Sequence, residues 1–205
     1  MIVSFNFYYA GAGLEDAVLR QRLRACDVRQ NIGIARGRVL ARTAGAADLP
    51  DVIWEHQFED VAGHHADMAV RAASVDFESI RAGMRKLCRR FERPLFEICG
   101  NPGPPAAASP NPSVVTLDWV FCVPEKAGVA LDLPRLAQRG PNDGRLLRLI
   151  TPGNDLPDFM WQAYGTAQIL DLAHTASAPR SEPQICTLPD STLIKRVEHS
   201  VWKVV

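Results

Sequence analysis

The chain has no net charge, little lysine and no long apolar run, and each shortage closes off a class of protein. Of its 205 residues, 23 are basic and 23 acidic, without the basic excess that nucleic-acid-binding proteins carry. No apolar stretch reaches the roughly 20 residues that a membrane-crossing helix needs. Met1–Ala10 has no basic segment ahead of its apolar run, so it does not read as a secretion signal. A cytoplasmic protein without nucleic-acid or membrane partners is expected. The cysteines, Cys26, Cys88, Cys99, Cys122 and Cys186, are odd in number and have no CxxC spacing. That pattern points to reduced thiols and away from a disulfide framework or zinc knuckle. There is no Gly-rich phosphate loop, no GxSxG elbow and no Cys/His nucleophile spacing. Only four of the basic residues are Lys, an arginine bias that GC-rich codon usage explains as well as a ligand would.

What is present is a motif written twice. Gly37–Trp54 reads GRVLARTAGAADLPDVIW and Gly144–Trp161 reads GRLLRLITPGNDLPDFMW, identical at eight of 18 positions. Upstream, Val3–Phe7 lies over Val115–Trp119; downstream, Phe91–Ile98 lies over Val197–Val204. A spaced self-similarity of this kind signals duplication. With 47% hydrophobic residues there is apolar material for a core in each half.

Each copy reads as strand, helix, strand, strand, helix, strand. In the first, Ile2–Tyr9 is a β-branched and aromatic strand, and Leu14–Gln30 has helical spacing at Leu14, Val18, Leu19, Leu23 and Cys26. Gly33–Arg42 and Asp51–Phe58 are the middle strands. Asp60 caps one helix start and Ser74 a second. Phe77, Ile80, Met84, Leu87, Cys88 and Phe91 then continue one helical face toward Pro94, and Leu95–Cys99 is the fourth strand. Residues 1–99 thus form an N-terminal repeat, 100–113 a Pro/Gly/Ala-rich linker, and 114–205 a C-terminal repeat. Pro124, Pro134, Pro141, Pro179, Pro183 and Pro189 make the helices of that last repeat degenerate. The fold class expected is α+β, with tandem ferredoxin-like β-α-β-β-α-β repeats whose antiparallel sheets pack face to face as an intramolecular α+β barrel. A βαβββ module of the vicinal-oxygen-chelate kind is excluded by the long helical pattern between Ala62 and Phe91.

This organisation resembles the dimeric α+β barrel superfamily, with both halves fused in one chain. The likeness is sharpest over Trp54–Phe77, where Glu55, Phe58, Asp60, Ser74 and Phe77 match the strand–helix segment of antibiotic-biosynthesis-monooxygenase-type and stress-responsive domains. The resemblance implies a small-molecule cleft between sheet and helices, lined by the Ser4, Asn6 and Tyr8 face of the first strand, although the opposite parity stays open. Monooxygenases of the superfamily use a first-strand Asn with a Trp and a His or Tyr on the second helix. Asn6 matches the first, but Met68 stands near the Trp position and Arg81 near the His position, so a haem-degrading site is not expected. Chlorite-dismutase-like relatives take a haem-ligating His from the C-terminal half, where His174 and His199 lack a supporting context. No cofactor and no metal are expected, because adjacent residues such as His64 and His65 diverge by about 100° on a helix.

Likeness to polyketide-cyclase relatives places the Trp54, His56 and Phe58 face in the cleft. The expected catalytic set is therefore Asn6, Tyr8 and His56, with the imidazole moving a proton. Ser4, Trp54, Phe58, His64, His65 and Met68 are the expected binding wall. The arginines after Ile80 read as a solvated helix face. Two functions stand open. One is a cofactor-independent monooxygenase or cyclase acting on an aromatic or polyketide-like compound. The other is a non-catalytic binding or stress-response protein whose cleft is filled. An open volume with convergent Asn6, Tyr8 and His56 would mark the first. A monomer by internal pseudo-dimerisation, or a weak homo-oligomer, is the expected assembly.

Overall fold

The computed structural model describes residues 1–99, 113–122, 144–151, 155–165 and 194–205. The linker, Ser113 excepted, and both degenerate helices of the C-terminal half lie outside them, as does His174. The described chain divides into two compact units. Unit 1 comprises Met1–Arg42, Ala47–Phe96 and Val205, and unit 2 comprises Thr43–Ala46 and Glu97–Val204.

Unit 1 is built from β1 (Ile2–Ala10), α1 (Glu15–Asn31), β2 (Arg38–Ala44, up to Arg42), β3 (Val52–Phe58), α2 (Val61–Ala72), α3 (Val75–Leu87), β4 (Cys88–Glu92) and the start of β5 (Leu95–Cys99). Its strands pair antiparallel in the order β4–β1–β3–β2. Asn6 stands opposite Trp54 and Tyr8 opposite Val52 on one side of β1, with Tyr8 opposite Phe91 on the other. Strand alternation splits β1 cleanly. Tyr8 and Trp54 pack against Val18 and Cys26 of α1 and Met84 of α3, so the Ser4–Asn6–Tyr8 parity faces the helices. Val3, Phe5 and Phe7 are fully buried on the other face, Phe5 edge-on to Phe96 with ring centroids 5.5 Å apart. Each such side chain contributes about 1.5–3 kcal/mol of transfer free energy. A second cluster, Ala25 with Phe77 and Ile80, joins α1 to α3.

The helix starts follow their caps. Asp60 accepts from Gly63 N–H at 2.8 Å and Ser74 from Phe77 N–H at 3.2 Å, which satisfies donors that the first turn leaves open. One expected helix is shorter than its periodicity implies. The face drawn through Phe91 stops at Leu87, and Cys88 turns extended at φ −100°, ψ 134°. The free edge of β1 takes up the backbone of Cys88–Glu92, and sheet pairing outweighs helix propensity there.

Unit 2 is built on β6 (Val114–Cys122), β7 (Gly144–Leu149), β8 (Phe159–Gly165) and β9 (Ile194–Val204), in the order β9–β6–β8–β7. Buried Ser200 receives the indole N–H groups of Trp119 and Trp202, both at 2.8 Å, and donates to the Leu117 carbonyl. The written-twice segment makes matching local contacts. Asp51 accepts from Ala10 N–H at 2.8 Å in unit 1, and Asp158 from Cys122 N–H at 2.7 Å in unit 2. Gly37 lies directly against the Trp54 indole, and Gly144 against that of Trp161. No described helix is long and apolar enough to cross a membrane.

Candidate functional site

The side chains that meet in unit 1 are largely charged. On α1 the buried stripe runs Val18, Arg22, Ala25, Cys26, Arg29, so two guanidiniums occupy positions on the seam that helical spacing reserves for apolar groups. Arg29 is fully buried. Its guanidinium lies 2.5 and 3.2 Å from the two carboxylate oxygens of Asp67 on α2, and its Nε donates to the Ala35 carbonyl. Arg71, one turn further along α2, brings its Nε within 2.8 Å of the same carboxylate. Arg22 is 3% exposed. It donates to the Tyr8 hydroxyl at 3.3 Å and more weakly to Cys26 Sγ at 3.5 Å, while its Nε is buried without a partner. Arg22 and Arg29 both stand over the Trp54 ring, 4.8 and 4.6 Å from its centroid, a cation–π arrangement that holds both heads in place.

A cavity of about 250 Å³ opens beside this cluster. Asn6 and Tyr8 of β1 line it, as do Arg22 of α1 and Arg71 of α2. Phe77, Ile80 and Met84 of α3, with Phe91 of β4, form its apolar wall. The rest of the lining is Arg81 and Arg85 of α3, Cys88, Arg89 and Arg90 of β4, and Arg93 in the turn that follows. The arginines that the sequence assigns to a solvated helix face are therefore divided. Arg89 and Arg90 belong to a strand, and five of them border the cavity. Asn6 Nδ2 donates to the Tyr8 hydroxyl at 3.2 Å, so that oxygen accepts from both Asn6 and Arg22. Burial pulls the Arg71 guanidinium down to about 10 against the support of Asp67, and Arg29, Arg93 and Arg22 repel it further. Burial likewise lowers Arg93; Tyr8 opposes that shift, and Arg81, Arg85 and Arg22 add to it.

Of the residues singled out from sequence, Asn6 and Tyr8 line this cavity; His56, Ser4, Trp54, Phe58, His64, His65 and Met68 are outside its lining. The physical reason is register. The cavity spans β1, β4 and α3, whereas Trp54, His56 and Phe58 sit on β3, across β1 from β4. They form a run of rings that continues into α2: Trp54 to His56 tilted at 6.0 Å, His56 to Phe58 edge-to-face at 4.6 Å, Phe58 to His64 edge-to-face at 5.2 Å and His64 to His65 tilted at 5.9 Å. Ser4 faces His56 at that end of the sheet, and Met68 is exposed on α2. Arg22 was missed, although its spacing of four from both Val18 and Cys26 marks it as a seam residue.

Both imidazoles, the half-buried His56 and the buried His64, are biased to the neutral form. His56 is lowered from 6.5 by burial and then by Arg29, against Asp67 and Glu55. His64 is lowered by burial, then by Arg71 and His65. An unfolded histidine takes up protons below about 6.5 that these folded ones resist, so stability is lost as pH falls through that value. Urea midpoints should fall between pH 7 and pH 5, and fall less in a His56→Gln/His64→Gln variant. Equal slopes would show that neither histidine is held neutral.

Among the described residues, no group of three or more His, Cys, Asp or Glu is placed to hold a metal ion. Haem does not fit the cavity either. Its lining has no histidine, and burial pushes the Cys88 thiol up to about 11, which disfavours the thiolate a metal would need. His199 of β9 is oriented by Asp118 of β6, with Nδ1 and Oδ1 2.5 Å apart, a carboxylate contact that metal-bound imidazoles also make.

No family model matches the chain, and no curated protein matches it in sequence. Solved structures do. An anthrone oxidase-like protein aligns over 100% of this chain and 90% of its own, at 11% identity and a TM-score of 0.61. A candidate monooxygenase from Lactobacillus acidophilus NCFM aligns over 99% and 93%, at 10% identity and 0.51. A mutant chlorite dismutase from Candidatus Nitrospira defluvii aligns over 98% and 90%, at 9% identity and 0.51. At such identities the likeness speaks to fold alone: the chain has the α+β fold that these oxidase-, monooxygenase- and dismutase-type structures have in common.

Proposed function

We propose that the chain is a small-molecule enzyme of the cofactor-independent monooxygenase or cyclase type, acting on an aromatic compound in the unit 1 cavity. The observation that carries this reading is the Tyr8 hydroxyl, which accepts from Asn6 and Arg22 beside an apolar wall. With both acceptor positions taken, its own hydrogen is left to point at a substrate oxygen. A ring ketone bound there gains a hydrogen bond. As an adjacent C–H proton leaves to water, the charge that develops on the oxygen meets Arg22 in a poorly hydrated place. In a cyclase the carbanion attacks a carbonyl of the same molecule, and the alkoxide takes a proton back. In a monooxygenase the second substrate is dioxygen. A ring methylene and one dioxygen then give a ring carbonyl and one water. The methylene carbon is oxidised as its two C–H bonds break, and dioxygen is reduced as its O–O bond breaks. One oxygen atom stays doubly bonded to that carbon, and the other leaves with both hydrogens.

Phe77, Ile80, Met84 and Phe91 suit a flat ring, and the likeness to an anthrone oxidase-like fold supports the same chemical class. The expected proton carrier, His56, has no part in this scheme: the proton goes to water, and Tyr8 supplies the hydrogen bond to the substrate oxygen. A non-catalytic protein with a filled cleft is disfavoured by the open cavity. We read the chain, further, as two ferredoxin-like repeats in tandem. The β4–β1–β3–β2 order of unit 1 and the paired Asp51/Asp158 and Gly37/Gly144 contacts support this.

The test is dioxygen uptake and product mass with 2-tetralone, a two-ring ketone with an acidic methylene beside its carbonyl, for wild type and Tyr8→Phe. The variant is expected to keep its circular dichroism and lose about 100-fold in kcat. Undiminished turnover would remove Tyr8 from the chemistry, and the reading with it.

A further inference from the structure

The cavity's charge does not balance. Its lining includes seven arginines and no carboxylate. Asp67 answers Arg71, Glu78 answers Arg81 and Arg85, and Glu92 answers Arg90. Asp67 is shared, since it also neutralises the buried Arg29. Among the described residues no carboxylate pairs with Arg22, Arg89 or Arg93. Arg89 and Arg93 instead lie over aromatic rings, 5.8 Å from the Tyr9 centroid and 4.7 Å from that of Phe91. Arg22 is the decisive case: a guanidinium 3% exposed, with an orphaned Nε and no counter-charge, bordering an open cavity. A buried cation left unpaired costs several kcal/mol in a finished core. It is tolerable where a ligand supplies the charge.

We infer that the cavity takes an aryl anion, a one- or two-ring body bearing a carboxylate or phosphate group, with Arg22 as the buried anion contact and Arg93 beside it. The two halves of the lining divide the labour. Phe77, Ile80, Met84 and Phe91 take the rings, and the guanidiniums, whose planar forks match both anion types, take the charged group. The volume of about 250 Å³ limits the body to one or two rings, below the usual range of drug-sized pockets. This inference rests on the reading of the cavity as the ligand site; it does not depend on turnover.

Isothermal titration of the full chain tests it with 3-hydroxy-2-naphthoate, 2-naphthyl phosphate, the neutral partners 3-hydroxy-2-naphthamide and 2-naphthol, and inorganic phosphate. At least one aryl anion is expected to bind tenfold or more tighter than its neutral partner and than inorganic phosphate. That preference should shrink in wild type as salt rises from 50 to 500 mM, and vanish in Arg22→Met and weaken in Arg93→Met. The two aryl arms tell carboxylate from phosphate. Equal binding of charged and neutral rings would overturn the anion and leave the proposed chemistry standing. Tight binding of inorganic phosphate alone would overturn the aryl body, and no binding of either aryl anion to wild type would overturn the inference outright. Anion binding that survives alongside undiminished turnover in Tyr8→Phe would instead sink the proposed enzyme and leave the inference intact.

Discussion

Replacing Asp67 by Asn is expected to cost about 3–5 kcal/mol, the amount lost when one partner of a buried ion pair is removed and the other stays behind. Arg29 is fully buried, and its only described carboxylate is Asp67. Arg71 leans on the same group. Asparagine keeps the volume and one acceptor oxygen but leaves two guanidiniums facing each other beside Arg22. Against a typical total of about 5–15 kcal/mol, that is enough to shift the urea midpoint of unit 1 heavily or to prevent folding. A double-mutant cycle separates charge from packing. Arg29→Met alone strands the carboxylate less severely, since Arg71 still pairs with it, and Arg29→Met/Asp67→Asn should recover a large part of the Asp67→Asn loss. If the double variant is no more stable than Asp67→Asn, the buried charge is not what holds α1 to α2.

Features set by neighbouring residues are legible in the sequence, and features set by the assembled sheet are not. Caps and strand starts depend on local chemistry, so Asp60 and Ser74 identify their helices directly. Alternation along β1 sorts Asn6 and Tyr8 onto the helix side, where Tyr8 does pack. The end of α3 was not legible. Leu87, Cys88 and Phe91 keep helical spacing, and only the unpaired edge of β1, a feature of the assembled sheet, turns Cys88–Glu92 into a strand. That one switch moves Arg89 and Arg90 from a solvated helix face to the lining of a cavity. His56 illustrates the opposite limit. Alternation groups it with Trp54 and Phe58, and a family likeness turned that face to the cleft, yet neither fixes position across the sheet, and His56 sits opposite Ser4 on β3 while the cavity opens toward β4. Arg22 and Arg29 were masked by their residue type. An apolar-stripe reading skips arginine, although Val18, Arg22, Cys26 and Arg29 recur at steps of four, four and three.

Gly37→Ala is expected to be the most damaging alanine substitution among the described glycines, at about 3–5 kcal/mol, while Gly144→Ala at the matching place in the written-twice segment should cost about 1–3 kcal/mol. Gly37 holds φ +72°, and a methyl group there would lie 2.2 Å from Trp54 Nε1 and 2.5 Å from Cε2. The substitution therefore incurs a left-handed backbone penalty and a collision with a ring that is itself fixed, its N–H donating to the Arg36 carbonyl at 3.0 Å. Gly144 shares only the collision, with its methyl group 2.6 Å from the Trp161 ring. Thermal denaturation of the two variants measures the difference. Equal and small losses would mean that the indoles yield easily and the glycines are incidental. The consequence reaches the cavity because Trp54 is the surface on which both Arg22 and Arg29 rest. A displaced indole moves Arg22 off the Tyr8 hydroxyl, so Gly37→Ala should weaken aryl-anion binding even at temperatures where the variant is fully folded. Gly144→Ala, whose tryptophan belongs to unit 2, should leave that binding unchanged.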